Sequence, residues 1–245
     1  MTAMSNFQWL VSLFALSLTG ATAGTPVTCP TDGKWDKQAD FPWTCRYRDD
    51  NRRLIETKAP VKVVFMGDSI TEGWLRADPA FFAAGWIDRG IGGQTTPQMV
   101  QRFRQDVLAL KPRIVHIMAG TNDIAGNTGA ITLAQTEANI RSMAEAARGA
   151  GIRVVIGSVL PARAFAWRKE SRPAPAIIEL NRWLRDYARS RGFTYADYHS
   201  AMAESDGGLP LSLSTDGVHP NKTGYAVMDP IAAKAIRAAG TSRRR

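Results

Sequence analysis

Five short apolar runs punctuate the chain: Val61 to Met66, Trp86 to Gly90, Ile114 to Ala119, Arg153 to Val159 and Phe193 to Asp197. Each is rich in β-branched or aromatic residues and reads as a buried strand. Between them the apolar period changes from two to three-to-four. Val100, Phe103, Val107 and Leu110 mark one buried helix face, opened by Thr95 or Thr96 with Pro97 in the first turn and closed by Lys111-Pro112. Leu133 to Gly149 follows, with Thr136, Ile140, Met143 and Ala147 inward and glycines at its end. Ala176 to Ser190 and Lys222 to Ala239 are two further helices, the last with Asn221 as N-cap. Trp74 to Ala84 reads as helix or loop, interrupted by Pro79, and Pro161 to Pro175 is irregular. Strands alternating with helices predict a five-stranded parallel sheet covered on both faces. Right-handed crossovers make this a flavodoxin-like, doubly wound α/β fold with strand order 2-1-3-4-5.

The 245 residues suit one such domain, taken as 59–240, with additions at its ends. The formal charge of +9 comes from arginines spread along the chain, with a basic tail at 241–245. No basic block is interleaved with aromatics and no nucleic-acid motif is present, so the charge reads as a solvated basic surface. Gly90-x-Gly92 is followed by Thr95 where a dinucleotide fingerprint needs a third glycine.

The first 23 residues change the picture. Trp9 to Leu18 is a short apolar core and Ala21-Thr-Ala23 a small-x-small cleavage site, the pattern of an export signal, though no Lys or Arg precedes the core. The run is too short to span a bilayer, which needs about 20 residues. A periplasmic or secreted location is therefore expected. Cys29 and Cys45, the two cysteines of the chain, follow the cleavage site. In an oxidising compartment they can form a disulfide contributing about 3 kcal/mol. Two cysteines with no histidine near them do not make a zinc site. Residues 24–58, with Trp35, Phe41, Trp43 and Tyr47, read as an extension packed on the main domain, with carbohydrate binding as a second reading of its aromatics.

The chemistry gathers at strand ends. Gly67-Asp68-Ser69, Gly92-Gly93 and Gly120-Thr121-Asn122-Asp123 each follow a strand, and Asp216-Gly217-Val218-His219-Pro220 precedes the last helix. In a parallel sheet the first three share one edge, where ligands bind. Acyl transfer needs a nucleophile, a base, an orienter and oxyanion donors. Ser69 is the candidate nucleophile. His219 is the candidate base, since an imidazole titrates near neutrality. Asp216 can hold the other ring nitrogen. The Ser69 and Gly93 backbone N–H groups and the Asn122 amide are the candidate oxyanion donors. Taken singly, each motif also reads as an ordinary turn or cap. His116 and His199 read as structural, hydrogen-bonded histidines. Ser158 ends a strand without a Gly-Asp lead-in.

These four stretches, in this order, resemble the motif blocks of the SGNH, or GDSL-type, hydrolases, with Ile70 in place of the usual Leu. The resemblance runs from about Ala59 to Ala239. It implies a three-layer α/β/α fold and a serine ester hydrolase that needs no metal or other cofactor. It also implies a triad of Ser69, Asp216 and His219 and an oxyanion hole of Ser69, Gly93 and Asn122. The family includes lysophospholipases, thioesterases, arylesterases and carbohydrate acetylesterases. The expected partner is thus a small-molecule, carbohydrate or lipid ester, with no nucleic acid and no stable membrane insertion. Short acyl groups are favoured by the lack of a long apolar lid. The segment Pro161 to Pro175 follows the fourth strand and should overhang the site, which makes Trp167 and Arg168 the candidate pocket residues.

Overall fold

A computed structural model describes residues 28–31, 34–83 and 85–241. The expected export signal at 1–23 and the arginines at 243–245 lie outside the described residues. Five parallel strands, β1 (Val63–Gly67), β2 (Trp86–Gly90), β3 (Ile114–Met118), β4 (Arg153–Gly157) and β5 (Thr194–Ala196), form one sheet in the order β2-β1-β3-β4-β5. The order is the one expected from right-handed crossovers. Alternate strand residues enter opposite cores. Val64, Met66, Val115, Ile117, Val154 and Ile156 face one layer, where helices α3 (Thr96–Asp106), α5 (Leu133–Gly149) and α6 (Pro173–Arg191) pack. Val63, Phe65, Met118 and Val155 face the other, covered by α2 (Ser69–Ala77), α7 (Tyr198–Met202) and α8 (Lys222–Thr241). The result is a three-layer α/β/α sandwich.

Register brings the functional stretches together. Gly67, the last residue of β1, pairs with Gly90 of β2 on one side and Met118 of β3 on the other. The turns that follow these three strands therefore leave one edge at one height.

The helix after β1 starts earlier than the apolar pattern indicates, at Ser69 rather than near Trp74. Its cap is the reason: the buried Asp68 carboxylate accepts the Ile70 N–H at 2.9 Å, satisfying a donor the first turn leaves open. Ile70, Thr71 and Trp74 then face the core. The first turn of α2 lies directly on the end of β2. A Cβ added to Gly90 would collide with the Glu72 nitrogen and come within 2.7 Å of the Asp68 carbonyl oxygen.

The extension also contains an element that hydrophobic periodicity does not reveal. Helix α1 (Arg48–Glu56) buries only Asn51 and Leu54. It packs against α3 through polar contacts, with Asn51 donating to Asp106 at 2.6 Å and accepting from Arg89. Ahead of it, Cys29 and Cys45 form a disulfide. The Asp40 carboxylate knots the same loop by accepting from the Thr44 N–H and hydroxyl and the Cys45 N–H. No helix among the described residues is long and apolar enough to cross a membrane.

Gly90→Ala should test the contact between α2 and β2. Backbone atoms of Asp68, Thr71 and Glu72 block the added methyl group, so the variant should lose about 1–3 kcal/mol of stability by chemical denaturation. An unchanged midpoint would mean that α2 does not sit this tightly on the strand.

Candidate active site

Ser69 is the first residue of α2, and the N-cap geometry of Asp68 sets its direction. Its Oγ lies 3.0 Å from Nε2 of His219, 150 residues away in sequence. The other ring nitrogen, Nδ1, lies 2.8 Å from Asp216 Oδ2. An ionised carboxylate accepts only, so Nδ1 carries the proton there and Nε2 is left to accept from the Ser69 hydroxyl. The loop holding both residues is braced locally. Asp216 Oδ1 accepts the Val218 N–H at 2.9 Å and the His219 N–H at 2.8 Å. Thr215 N–H donates to the His219 carbonyl. Burial opposes ionisation of Asp216, but its bonds from the His219 backbone, the His219 ring and the Val218 N–H outweigh it and hold the carboxyl below its ordinary value.

The turn after β2 runs beside Ser69. Gly93 has φ +76°, a left-handed conformation that favours glycine, and a Cβ added there would meet nothing within 4 Å. Its face toward the edge is open. Glu72 of α2 reaches across and accepts the Gly92 N–H at 3.0 Å. Asn122 lies in α4 (Thr121–Ile124), the single turn after β3, and is buried. Its Nδ2 donates to the Gln94 carbonyl at 3.0 Å, and its Oδ1 accepts from Asn127 Nδ2 at 2.7 Å. Its neighbour Asp123 accepts from the Thr96 N–H and hydroxyl and from Thr136, joining the turn after β3 to α3 and α5.

Trp167 and Arg168 reach the same edge. The Trp167 ring centroid is 6.2 Å from that of His219, and its indole N–H donates to Asn127 Oδ1 at 3.0 Å. Trp167 stacks on the buried Phe165 and remains 44% exposed. Arg168 donates to the Gly126 carbonyl at 2.6 Å. Both side chains thus tie the segment after β4 to the turn after β3. Asn127 had no motif to mark it, being an ordinary turn residue in sequence; its position between Asn122 and Trp167 is a tertiary fact. On the other side of Ser69 a cleft of ≈ 620 Å³ is lined by Ser69, His219, Gly73, Arg76, Lys222 and Tyr225 among others.

The remaining histidines lie elsewhere. His116 is buried in the aromatic core with Nε2 2.8 Å from the Tyr198 hydroxyl, and burial pushes its pKa down to about 3. His199 donates its backbone N–H to Ser158 Oγ, which also accepts from Tyr198, so Ser158 serves as a bracket for α7. Among the described residues no group of three or more His, Cys, Asp or Glu could hold a metal ion.

A doubly wound parallel sheet with a serine, a histidine and an aspartate in hydrogen-bond sequence at its carboxyl edge has the form of an α/β/α hydrolase. The family profile of GDSL-like lipases and acylhydrolases matches residues 65–227, and the chain belongs to that family. It is a carboxylic ester hydrolase of the SGNH/GDSL type. Two solved structures share its fold and are 43% identical to it where they align. One is a putative acylhydrolase from Bacteroides fragilis, with a TM-score of 0.77 over 81% of this chain and 98% of that one. The other is a GDSL-like lipase from Bacteroides thetaiotaomicron, with a TM-score of 0.78 over 81% and 99%. An acetylxylan esterase from Geobacillus stearothermophilus is 24% identical over 200 residues, which span 68% of this chain and 90% of that protein.

Asp68 provides a pH test of the site's foundation. Burial raises its carboxyl to about 6, against an ordinary value near 4. A raised pKa means that the folded state holds the proton more tightly. Its contribution to stability is full below pH 4 and is lost as pH rises through 6. Asp68→Asn keeps a capping side chain without the charge. Relative to the wild type, the variant should gain stability between pH 4 and pH 7, read as the difference in Tm at the two pH values. A constant difference would remove burial of the Asp68 charge as a factor.

Proposed function

We propose that this chain is an exported esterase that removes acetyl or other short acyl groups from carbohydrate alcohols, with Ser69 as nucleophile. The contact sequence Ser69 Oγ, His219 Nε2, His219 Nδ1 and Asp216 Oδ2, at 3.0 and 2.8 Å, carries this reading. His219 Nε2 takes the Ser69 proton as Oγ bonds to the ester carbonyl carbon. The carbonyl oxygen becomes an oxyanion, stabilised by the Ser69 and Gly93 N–H groups and the Asn122 amide. The carbon–alkoxy bond then breaks, and the alcohol leaves with the proton from His219. Water adds to the acyl-enzyme with His219 again as base, releasing the acid and restoring the Ser69 hydroxyl. Asp216 keeps the imidazole in the tautomer that both steps need.

The carbohydrate reading draws on the acetylxylan esterase relative and on the cleft, whose Arg76 and Lys222 offer hydrogen-bond donors to a hydroxyl-rich leaving group. The Trp167 ring beside His219 supports a short acyl pocket. Export is supported by the signal-like segment at 1–23 together with the Cys29–Cys45 disulfide, since such bonds persist in oxidising compartments. The second reading, a lysophospholipase or thioesterase drawn to anionic surfaces, rests on the basic charge of +9.

An ester panel of varied acyl length and alcohol separates the two readings. Acetyl sugars should be cleaved with far higher kcat/KM than long-chain acyl esters, and the reverse order would overturn the carbohydrate assignment. Ser69→Ala should lose ester cleavage and fluorophosphonate labelling while keeping its fold by circular dichroism; retained turnover would exclude Ser69 as nucleophile. Trp167→Ala should raise the butyrate-to-acetate ratio of kcat/KM by about tenfold, the scale of one or two methylenes in an apolar pocket. An unchanged ratio would take Trp167 out of the acyl pocket.

A further inference from the structure

Beneath the turn after β2 lies a buried polar network that the ester chemistry does not use. Arg102 of α3 is fully buried. Its guanidinium donates to Gln94 Oε1 at 2.6 Å, the Arg89 carbonyl at 2.8 Å, the Gly67 carbonyl at 3.0 Å and Asp106 Oδ2 at 3.0 Å. One side chain thus holds the ends of β1 and β2 and the side chain of the residue after Gly93. A buried guanidinium is tolerated only when its donors are matched in this way.

Gln94 is bound at every polar group. Oε1 accepts from Arg102, and Nε2 donates to the Pro42 carbonyl of the extension at 2.7 Å. Its backbone N–H donates to Ile91, and its carbonyl accepts from Asn122 Nδ2 at 3.0 Å. The Asn122 amide plane is therefore gripped at Nδ2 by Gln94 and at Oδ1 by Asn127. This leaves its second N–H as the one that can donate to a ligand. Only an amide of this length offers both the acceptor that Arg102 needs and the donor that Pro42 needs. A carboxylate would supply the first alone. The neighbouring extension contacts act on the same strip: Gln98 donates to the Phe41 carbonyl, Gln105 to the Thr44 carbonyl, and Tyr47 to the Gly90 carbonyl.

We propose that Gln94 is a positioning residue for the Asn122 amide, and that through it the disulfide-closed extension forms part of the catalytic apparatus. The inference rests on the reading of Asn122 as an oxyanion donor. Gln94 touches neither substrate nor reacting atoms. Its effect passes from Arg102 and Pro42, through its own backbone, to the direction of the Asn122 N–H. Oxyanion stabilisation requires donors held in place before charge develops, so a small loss of alignment should appear in turnover rather than in substrate binding.

A kinetic double-mutant cycle between Gln94→Met and Asn122→Ala tests this, using an acetyl ester and rates normalised to titrated active sites. Gln94→Met, close in size but unable to make either bond, should lower kcat about tenfold with KM changed less than about twofold. Asn122→Ala should lower kcat about 100-fold or more. The double variant should be no slower than Asn122→Ala, because a residue that acts through Asn122 has nothing left to position. A purely structural Gln94 would lower Tm and leave kcat per titrated site unchanged, and that result overturns the proposal. Multiplying effects in the double variant also overturn it, while leaving the oxyanion reading intact. Full turnover in Asn122→Ala overturns the oxyanion reading and this inference together. If Gln94→Met does not fold, Gln94→Glu, which keeps an acceptor for Arg102, replaces it in the cycle. Its expected loss in kcat is about threefold, again absent in the Asn122→Ala background.

Discussion

The close seating of α2 on the ends of β1 and β2 is the constraint on which the rest of the structure depends. Ser69 sits at the start of α2, so its reach is set by where that helix begins and how near it lies to the sheet. Asp68 decides the first by capping the Ile70 N–H. Gly90 permits the second, because the Glu72 nitrogen and the Asp68 carbonyl oxygen occupy the space a side chain would need. A larger residue would push the helix outward and carry Ser69 away from His219. The contact costs something in return. The Asp68 carboxylate is buried, and its ordinary acidity is given up for a helix start at this position.

The edge of the sheet is then a meeting point of turns that hold one another. Glu72 on α2 accepts from Gly92, Gln94 accepts from Asn122, Asn127 links Asn122 to Trp167, and Arg168 reaches the Gly126 carbonyl. Most of these bonds join a side chain to a neighbouring backbone or amide, so each turn is braced by at least one residue from another. Such cross-bracing suits the proposed oxyanion hole. Its donors come from three separate strand ends and must keep a fixed geometry without any one strand supplying it.

Much of the fold and of the candidate site was legible in the sequence. The strands are short apolar runs between polar helices, and that alternation admits few topologies once crossovers are right-handed. Gly93 and Asn122 follow strands directly, so a parallel sheet brings them to one edge with Ser69. The start of α2 is marked by Asp68 and Ser69 as turn and cap residues and not by the apolar period, since its first turn is half polar. Helix α1 escaped periodicity because its buried face is Asn51 and Leu54, with polar contacts where an apolar stripe is usual. Asn127 carries no motif, and Gln94 is an ordinary polar residue following the two glycines of the turn after β2.

By itself the sequence determined the class of fold, the strand order and the family, and it marked the candidate residues for acyl chemistry. These follow from local pattern: period, turn residues, and motif order along the chain. The tertiary structure decided which atoms meet. The bond between Ser69 and His219 spans 150 residues, and Gln94 joins Pro42, Arg102 and Asn122 across three elements. No local preference encodes such contacts. They exist because buried donors and acceptors must find partners once the core has closed around them, and the partners available are whatever the fold has brought alongside.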